Sequence, residues 1–196
     1  MLDTHGRRYI QPMLEKSSEL FLKKKLTPTH VTKIAFAIGI GASVLVYFDY
    51  PILAVIVLWM SGFLDAVDGT MARKSKQSTS WGTLLDITFD RVVEIGIIVA
   101  LAFKATTHLE LIGLVLLSVS IIFAMTIFLT VGALSDKMSE KSFYYQPGLA
   151  ERTEGFILFS CMILFQEYLF FITMVFLAVE IITAMQRLNE ARKILK

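Results

Sequence analysis

The sequence predicts an all-α integral membrane protein: six transmembrane helices preceded by an N-terminal amphipathic helix lying in the membrane interface. Three observations carry that expectation. The 196 residues are 55% hydrophobic and only 18% charged, where a soluble domain carries about 25% charged residues. The apolar residues form continuous runs rather than alternating ones, which selects helices over a transmembrane barrel. Finally, the charges collect in a few connecting segments, so the chain alternates between membrane-like and water-like stretches.

A span needs about 20 helical residues to cross a hydrocarbon core roughly 30 Å thick. Six runs fit, over residues 31–48, 51–67, 82–103, 110–134, 153–166 and 168–186. The second and fifth are short. With six spans, both ends of the chain share one side. That side carries every Lys and Arg of the 19 except Lys104, and an excess of positive charge marks the cytoplasmic face. Both termini are therefore expected in the cytoplasm. The opposite connections, around Asp49–Pro51, Lys104–Glu110 and Gln166–Glu167, are too short to fold as an outer domain. The first ten residues hold no apolar run of the secretory type.

Before the first span, "RYIQPMLEKSSELFLKKKL" (residues 8–26) sets Ile10, Met13, Leu14, Leu20, Phe21 and Leu22 among charges at helical spacing. It ends in three consecutive lysines, Lys23, Lys24 and Lys25. This is the pattern of a helix lying on a leaflet with its cations toward anionic head groups. The expected organisation is an N-terminal arm (1–30), a six-helix membrane domain (31–186) and a basic tail (187–196). A single cysteine, Cys161, sits in an apolar run and reads as a buried structural thiol. The net charge of +2 gives no basis for nucleic-acid binding; the cations follow the membrane face instead.

Against this background, four carboxylates stand out: Asp65, Asp68, Asp86 and Asp90. At about 100° per residue, Asp65, Asp68 and Ala72 project within roughly 60° of one another, with Gly69 at the border. Asp86 and Asp90 lie one turn apart on the next helix, and the loop between is short enough to return the chain antiparallel. Four clustered carboxylates without cations would be prohibitive. Two divalent ions would balance them, and oxygen-only ligands select hard ions, Mg²⁺ or Mn²⁺. Paired metals are a device for phosphoryl transfer. Gly69, Ala72 and Gly82 leave room for a ligand against the backbone, and Arg73 offers a planar guanidinium to a phosphate. An ion pathway is the other use of membrane acids. It calls for acids deep in several spans, and here only Glu94 and Glu180 lie away from span ends.

The segment Asp65-Ala-Val-Asp68-Gly69-Thr-Met-Ala72-Arg73, eight residues, then Gly82-Thr-Leu-Leu-Asp86-Ile-Thr-Phe-Asp90 resembles the signature of the CDP-alcohol phosphotransferases, D-x-x-D-G-x-x-A-R…G-x-x-x-D-x-x-x-D. All eight fixed identities are present. The resemblance implies a membrane enzyme of phospholipid biosynthesis, commonly a homodimer. It would move a phosphatidyl-type group from a CDP-linked lipid to an alcohol and release CMP. It implies that Asp65, Asp68 and Asp86 are metal ligands and that Asp90 both touches metal and acts as base toward the acceptor hydroxyl. By the same resemblance Gly69, Ala72, Arg73, Thr79 and Gly82 face the CDP-lipid. Thr27-Pro28-Thr29-His30-Val31-Thr32 resembles the family's T-P-N-x-x-T, which adds Pro28, Thr29 and Thr32, with Thr29 where the family usually has Asn. Thr27-Pro28 is also a helix cap followed by proline at the first position.

For the acceptor, the stretch 135–154, "SDKMSEKSFYYQPGLAERTE", offers Lys137, Lys141 and Arg152 as cations for a phosphate. Glu151-Arg152-x-Glu154 is weakly similar to the E-R-x-E/D of the inositol-phosphate branch. A phosphorylated polyol, inositol phosphate or glycerol 3-phosphate, is the expected acceptor, with serine as the alternative. A divalent-cation carrier built on the same acids is the alternative from another class.

Overall fold

A computed structural model describes residues 2–135, 148–149 and 151–195, with side chains from Ile10 onward. The described residues are helical throughout apart from short connections: α1 (Leu2–Lys23), α2 (Pro28–Tyr47), α3 (Pro51–Lys74), α4 (Ser80–Lys104), α5 (His108–Leu134), α6 (Arg152–Leu164), a 3₁₀ turn (Gln166–Tyr168) and α7 (Leu169–Ile194). Helices α2 to α7 coincide with the six apolar runs. Two extend past them. Helix α3 continues to Lys74, so the whole of Asp65–Arg73 is helical, and α7 continues to Ile194 through most of the expected tail. Among the described residues, four segments are long and apolar enough to cross a membrane: α2, α3, α5, and the 3₁₀ turn taken together with α7. Helix α4 has the length, but Asp86, Asp90, Arg91 and Glu94 interrupt its apolar run. Helix α6 has only 13 residues, roughly 20 Å of rise.

The chain divides into two compact units, residues 5–104 and residues 105–196, the latter with the first four residues. In the first unit α2 is the shared partner, packing against both α3 and α4. It is admitted closely because its contact positions are small. A methyl at Gly39 would stand 2.5 Å from a Val93 methyl and 2.8 Å from Ser61 Oγ, and one at Gly96 would stand 2.7 Å from Ser43 Oγ. Small residues that let helix backbones approach are the usual means of packing where lipid removes the hydrophobic drive. Ser61 uses the proximity to donate to Ala35 O on α2 at 2.7 Å. Nearer the aspartates, the rings of Phe36 and Phe89 stack with centroids 4.1 Å apart.

Helix ends in this unit follow local rules. Thr27 caps α2, its side chain accepting from His30 N, and Pro28 takes the first turn, where its missing N–H costs nothing. Helices α1, α2 and α3 all end with a residue at positive φ: Lys25, Asp49 and Lys76. In each, the next residue's N–H reaches back five positions: Leu26 to Phe21 O, Tyr50 to Leu45 O, Gln77 to Ala72 O. This is the Schellman closure, normally built on glycine. A lysine or aspartate in its place costs about 1 kcal/mol.

In the second unit α5 packs on α7 and α6 on α7. Thr107 and Glu110 form a reciprocal capping box at the start of α5. Ala124, Ile127, Val131, Ala184 and Ala191 make one core cluster, and the Phe159 and Phe176 rings meet edge to face at 5.0 Å. Large apolar side chains point outward along these helices. Val115, Ile122 and Phe171 are each more than 60% exposed, which water would penalise and lipid does not. Cys161, expected to be buried, is half-buried.

Candidate functional site

The candidate site belongs to the first unit, where carboxylates from the last three turns of α3 and the first turns of α4 converge. Asp65 and Asp68 project from α3 and Asp86 from α4. One carboxylate oxygen from each can be chosen so that all three lie within 4.8 Å of one another. Asp68 is buried, and Asp65 and Asp86 are half-buried. The structure thus brings together three of the four predicted aspartates. Asp90 is half-buried one turn further along α4 and is not a member of that group. Three hard oxygen donors converging from two helices form a donor set suited to a divalent cation of the Mg²⁺ or Mn²⁺ type.

Local sequence explains the placement. The loop between the helices is only five residues, 75–79, closed on one side by the Lys76 turn. On the other side Thr79 caps α4: its Oγ1 accepts from Gly82 N at 3.0 Å and its carbonyl from Thr83 N at 3.0 Å. Thr79, expected beside the nucleotide, is seen to orient the first turn of α4. A methyl at Gly82 would press on Thr79 Oγ1 at 3.2 Å, tighter than most such contacts. At Gly69 the situation differs. A methyl there would meet only the Arg73 guanidinium, at an ordinary 3.5 Å. No described neighbour demands glycine at 69; the Arg73 guanidinium covers the backbone there at van der Waals distance. Ala72 is half-buried in the same face.

Arg73 is exposed but ordered back along the helix, with Nη2 donating to Thr70 Oγ1 at 3.2 Å. Val67 and Met71 of α3 pack with Leu14 of α1 and Val31 of α2, and Phe21, Leu22, Leu26, Phe63 and Leu64 close around them. Lys74 adds an ion pair to Glu19 at 2.6 Å. The hydrogen bond and charge of Lys74 hold the Glu19 carboxyl below its ordinary value of 4.5. Helix α1 thus braces the back of the aspartate helix. Between them lies a cleft of about 260 Å³ lined by Gln11, Glu15, Thr70, Arg73 and Lys74.

The remaining expected contacts distribute as follows. Pro28, Thr29 and Thr32 occupy the first turns of α2, Thr32 being buried with its hydroxyl donating to Pro28 O at 3.0 Å. Arg152 is the first residue of α6, in the second unit, its guanidinium 5.6 Å from the Phe156 ring centre. Lys137 and Lys141 lie outside the described residues.

Two residues escaped sequence reasoning. Thr70 sits at a variable position of the motif, and nothing in its type announces a bond to Arg73. Arg187 is buried on α7, with its guanidinium 5.0 Å from the Phe128 ring centre and Nη1 3.5 Å from Ala124 O. Its signal was available: Ala184, Arg187 and Ala191 follow the i, i+3, i+7 spacing of one buried helix face.

Known proteins agree with this architecture. A family model described as CDP-alcohol phosphatidyltransferase matches residues 25–186. The chain is 33% identical to the "Inner membrane protein YnjF" of Escherichia coli (strain K12) over 178 residues, 86% of this chain and 84% of that one. It is 34% identical to the archaetidylinositol phosphate synthase of Pyrococcus horikoshii over 119 residues, 58% of this chain and 63% of the relative. Among solved structures, Mycobacterium tuberculosis phosphatidylinositol phosphate synthase with CDP-DAG bound superposes with a TM-score of 0.76 at 20% identity, covering 92% of this chain and 94% of that one. A second structure of that protein, in complex with manganese and citrate, gives 0.75 at 20% identity and covers 91% and 88%. At such identity the likeness speaks for the fold.

Proposed function

This chain belongs to the CDP-alcohol phosphatidyltransferase family, and we propose that it transfers a phosphatidyl-type group from a CDP-linked lipid to a phosphorylated polyol, releasing CMP. The observation that carries the reading is the convergence of Asp65, Asp68 and Asp86 within 4.8 Å, inside the complete family signature. The acceptor reading is supported by the archaeal relative's name, an archaetidylinositol phosphate synthase, and by Arg152, a cation the sequence offers for a phosphate. Inositol phosphate is the first candidate and glycerol 3-phosphate the second.

Asp65, Asp68 and Asp86 would hold a divalent cation, Mg²⁺ or Mn²⁺, and Asp90 extends the donor set toward a second ion. Bound there, the metal would neutralise the donor's diphosphate and polarise the phosphorus centre. The chain's own residues do the rest. Gly69 lets the CDP moiety approach the backbone, with Ala72 and Gly82 keeping that face low. Arg73 meets a donor phosphate through its planar guanidinium. Asp90 accepts the acceptor hydroxyl's proton at a carboxylate oxygen as that hydroxyl oxygen attacks the lipid-side phosphorus. The new P–O bond replaces the bond to CMP, which leaves with the electron pair. Positioning and charge stabilisation supply most of the acceleration.

All six helices α2 to α7 are assigned to the membrane, with both termini and the site cytoplasmic, because every Lys and Arg but Lys104 falls on one side. Helix α1 would lie in the interface. Leu14 faces the protein, while Ile10, Met13 and Leu20 stay about half-exposed and would enter the leaflet. The organisation of arm (1–30), membrane domain (31–186) and basic tail (187–196) is retained, and the assembly is taken as a homodimer.

The test is CMP release from CDP-diacylglycerol by purified protein in nanodiscs, across inositol phosphate, glycerol 3-phosphate and serine, with Mg²⁺ or Mn²⁺. Turnover with serine alone would overturn the acceptor. No CMP release with any of the three, together with Mn²⁺ uptake by sealed vesicles, would favour a cation carrier instead. Activity undiminished in excess EDTA, or in Asp65→Ala and Asp68→Ala, would remove the metal centre.

A further inference from the structure

We infer that Thr70 is a positioning residue for the donor: it holds the Arg73 guanidinium in place for a CDP phosphate. The inference rests on the assignment of Arg73 to the donor made above.

Thr70 is 4% exposed in the penultimate turn of α3. Its hydroxyl is oriented by its own bond, because Oγ1 donates to Ala66 O at 2.9 Å. With the proton spent, the oxygen presents lone pairs only, and Arg73 Nη2 donates to it at 3.2 Å. A threonine bonding back to the i−4 carbonyl is a common local arrangement. The consequence for Arg73 is specific to this chain. Arg73 is exposed, and such a side chain loses much rotamer freedom when ordered. With this bond made, the side chain is folded back one turn and the guanidinium lies over Gly69: Nη1 is 3.5 Å and Nη2 3.9 Å from where a Cβ would stand. Gly69 follows Asp68, a member of the carboxylate group. A guanidinium has five N–H donors, so one bond to Thr70 is compatible with phosphate contact through others. Thr70 thus sets in advance a cation that the donor would otherwise have to order on binding, and preorganisation of this kind appears as affinity.

The two flanking substitutions separate this role from a structural one. Thr70→Val keeps the branched shape and burial but removes the acceptor; Thr70→Ser keeps the acceptor. For Thr70→Val we expect the KM for CDP-diacylglycerol and the equilibrium Kd for CDP to rise roughly 3- to 10-fold. The kcat and the acceptor KM should stay within about twofold. Thr70→Ser should return the donor values to within about twofold of wild type. In an Arg73→Lys background, which retains charge but loses the planar fork, Thr70→Val should add no further loss.

Unchanged donor KM and Kd in Thr70→Val would overturn the inference. So would effects of Thr70→Val and Arg73→Lys that multiply, since Thr70 would then act independently of Arg73. A lowered melting temperature with donor and acceptor constants disturbed together, not rescued by serine, would make Thr70 a packing residue only. Failure of the wild type to bind CDP would overturn the donor assignment of Arg73 and this inference with it. That failure is recognisable because it precedes any substitution.

Discussion

Replacing Asp86 by Asn should inactivate the protein and yet stabilise its metal-free form. One carboxylate oxygen from each of Asp65, Asp68 and Asp86 lies within 4.8 Å of the other two. At an effective dielectric constant of about 20, two unit charges at that distance repel by roughly 3.5 kcal/mol. Asp86 takes part in two such pairs, so its charge opposes the convergence of the three carboxylates by at most about 7 kcal/mol. Because Asp65 and Asp86 are half-exposed, screening and small rotations remove most of this, leaving about 2 kcal/mol. The amide is isosteric and keeps an acceptor oxygen, so the change is chiefly in charge. For a chain of this length, about 2 kcal/mol is a rise of roughly 4–8 °C in melting temperature. The assay is thermal unfolding in detergent with EDTA, then with Mn²⁺ at about 100 times its Kd. There a cation binding only the folded form contributes about 2.7 kcal/mol. Wild type should melt below Asp86→Asn in EDTA and gain strongly from Mn²⁺. Asp86→Asn should gain little and release no CMP. If it melts at or below wild type in EDTA, or if Mn²⁺ raises both equally, the carboxylates are not held together against their charge and the metal-centre reasoning fails.

Other outcomes follow from the same geometry. Asp90→Asn should abolish transfer while leaving CDP-lipid binding within a few fold, because Asp90 stands outside the convergent trio; near-normal turnover in this variant removes its role as base. Arg152→Ala should raise the acceptor KM by roughly 10- to 150-fold, the loss of a charge-assisted contact of about 1.5–3 kcal/mol, with the donor KM unchanged. An unaltered acceptor KM makes Arg152 a membrane-face anchor only. Gly39→Ala should destabilise the protein by about 1–3 kcal/mol, since the added methyl falls 2.5 Å from Val93 and 2.8 Å from Ser61 Oγ. Val93→Ala in the same chain should recover part of the loss in melting temperature, and no recovery would place the strain elsewhere.

Much of the molecule was determined by the sequence alone, because the features concerned are periodic or local. Continuous apolar runs marked six helices, although α3 and α7 continue 7 and 8 residues past the ends of their runs, to Lys74 and Ile194. Thr27-Pro28 marked the start of α2. The spacings 65–68 and 86–90 put carboxylates on matching helix faces, since residues three and four apart share a face whatever the helix packs against. Other features depend on which side chains meet through space, and only the tertiary structure decided them. Gly39 and Gly96 are ordinary glycines in a membrane-like run until Val93, Ser61 and Ser43 come within contact of them. Lys25 and Lys76 carry no mark of the left-handed turns they occupy, because the closure depends on hydrogen bonds five residues apart rather than on residue type. The acidic motif spans four aspartates, but the packing of α3 and α4 on α2 draws three of them together and leaves Asp90 a turn further along α4. Thr70 became legible only when Arg73 was seen folded onto it. The brace of α1 behind α3 joins Leu14 to Met71 and Glu19 to Lys74, pairs separated by more than fifty residues. Helical periodicity reports the face a residue occupies; what that face meets is set by the packing of the other helices.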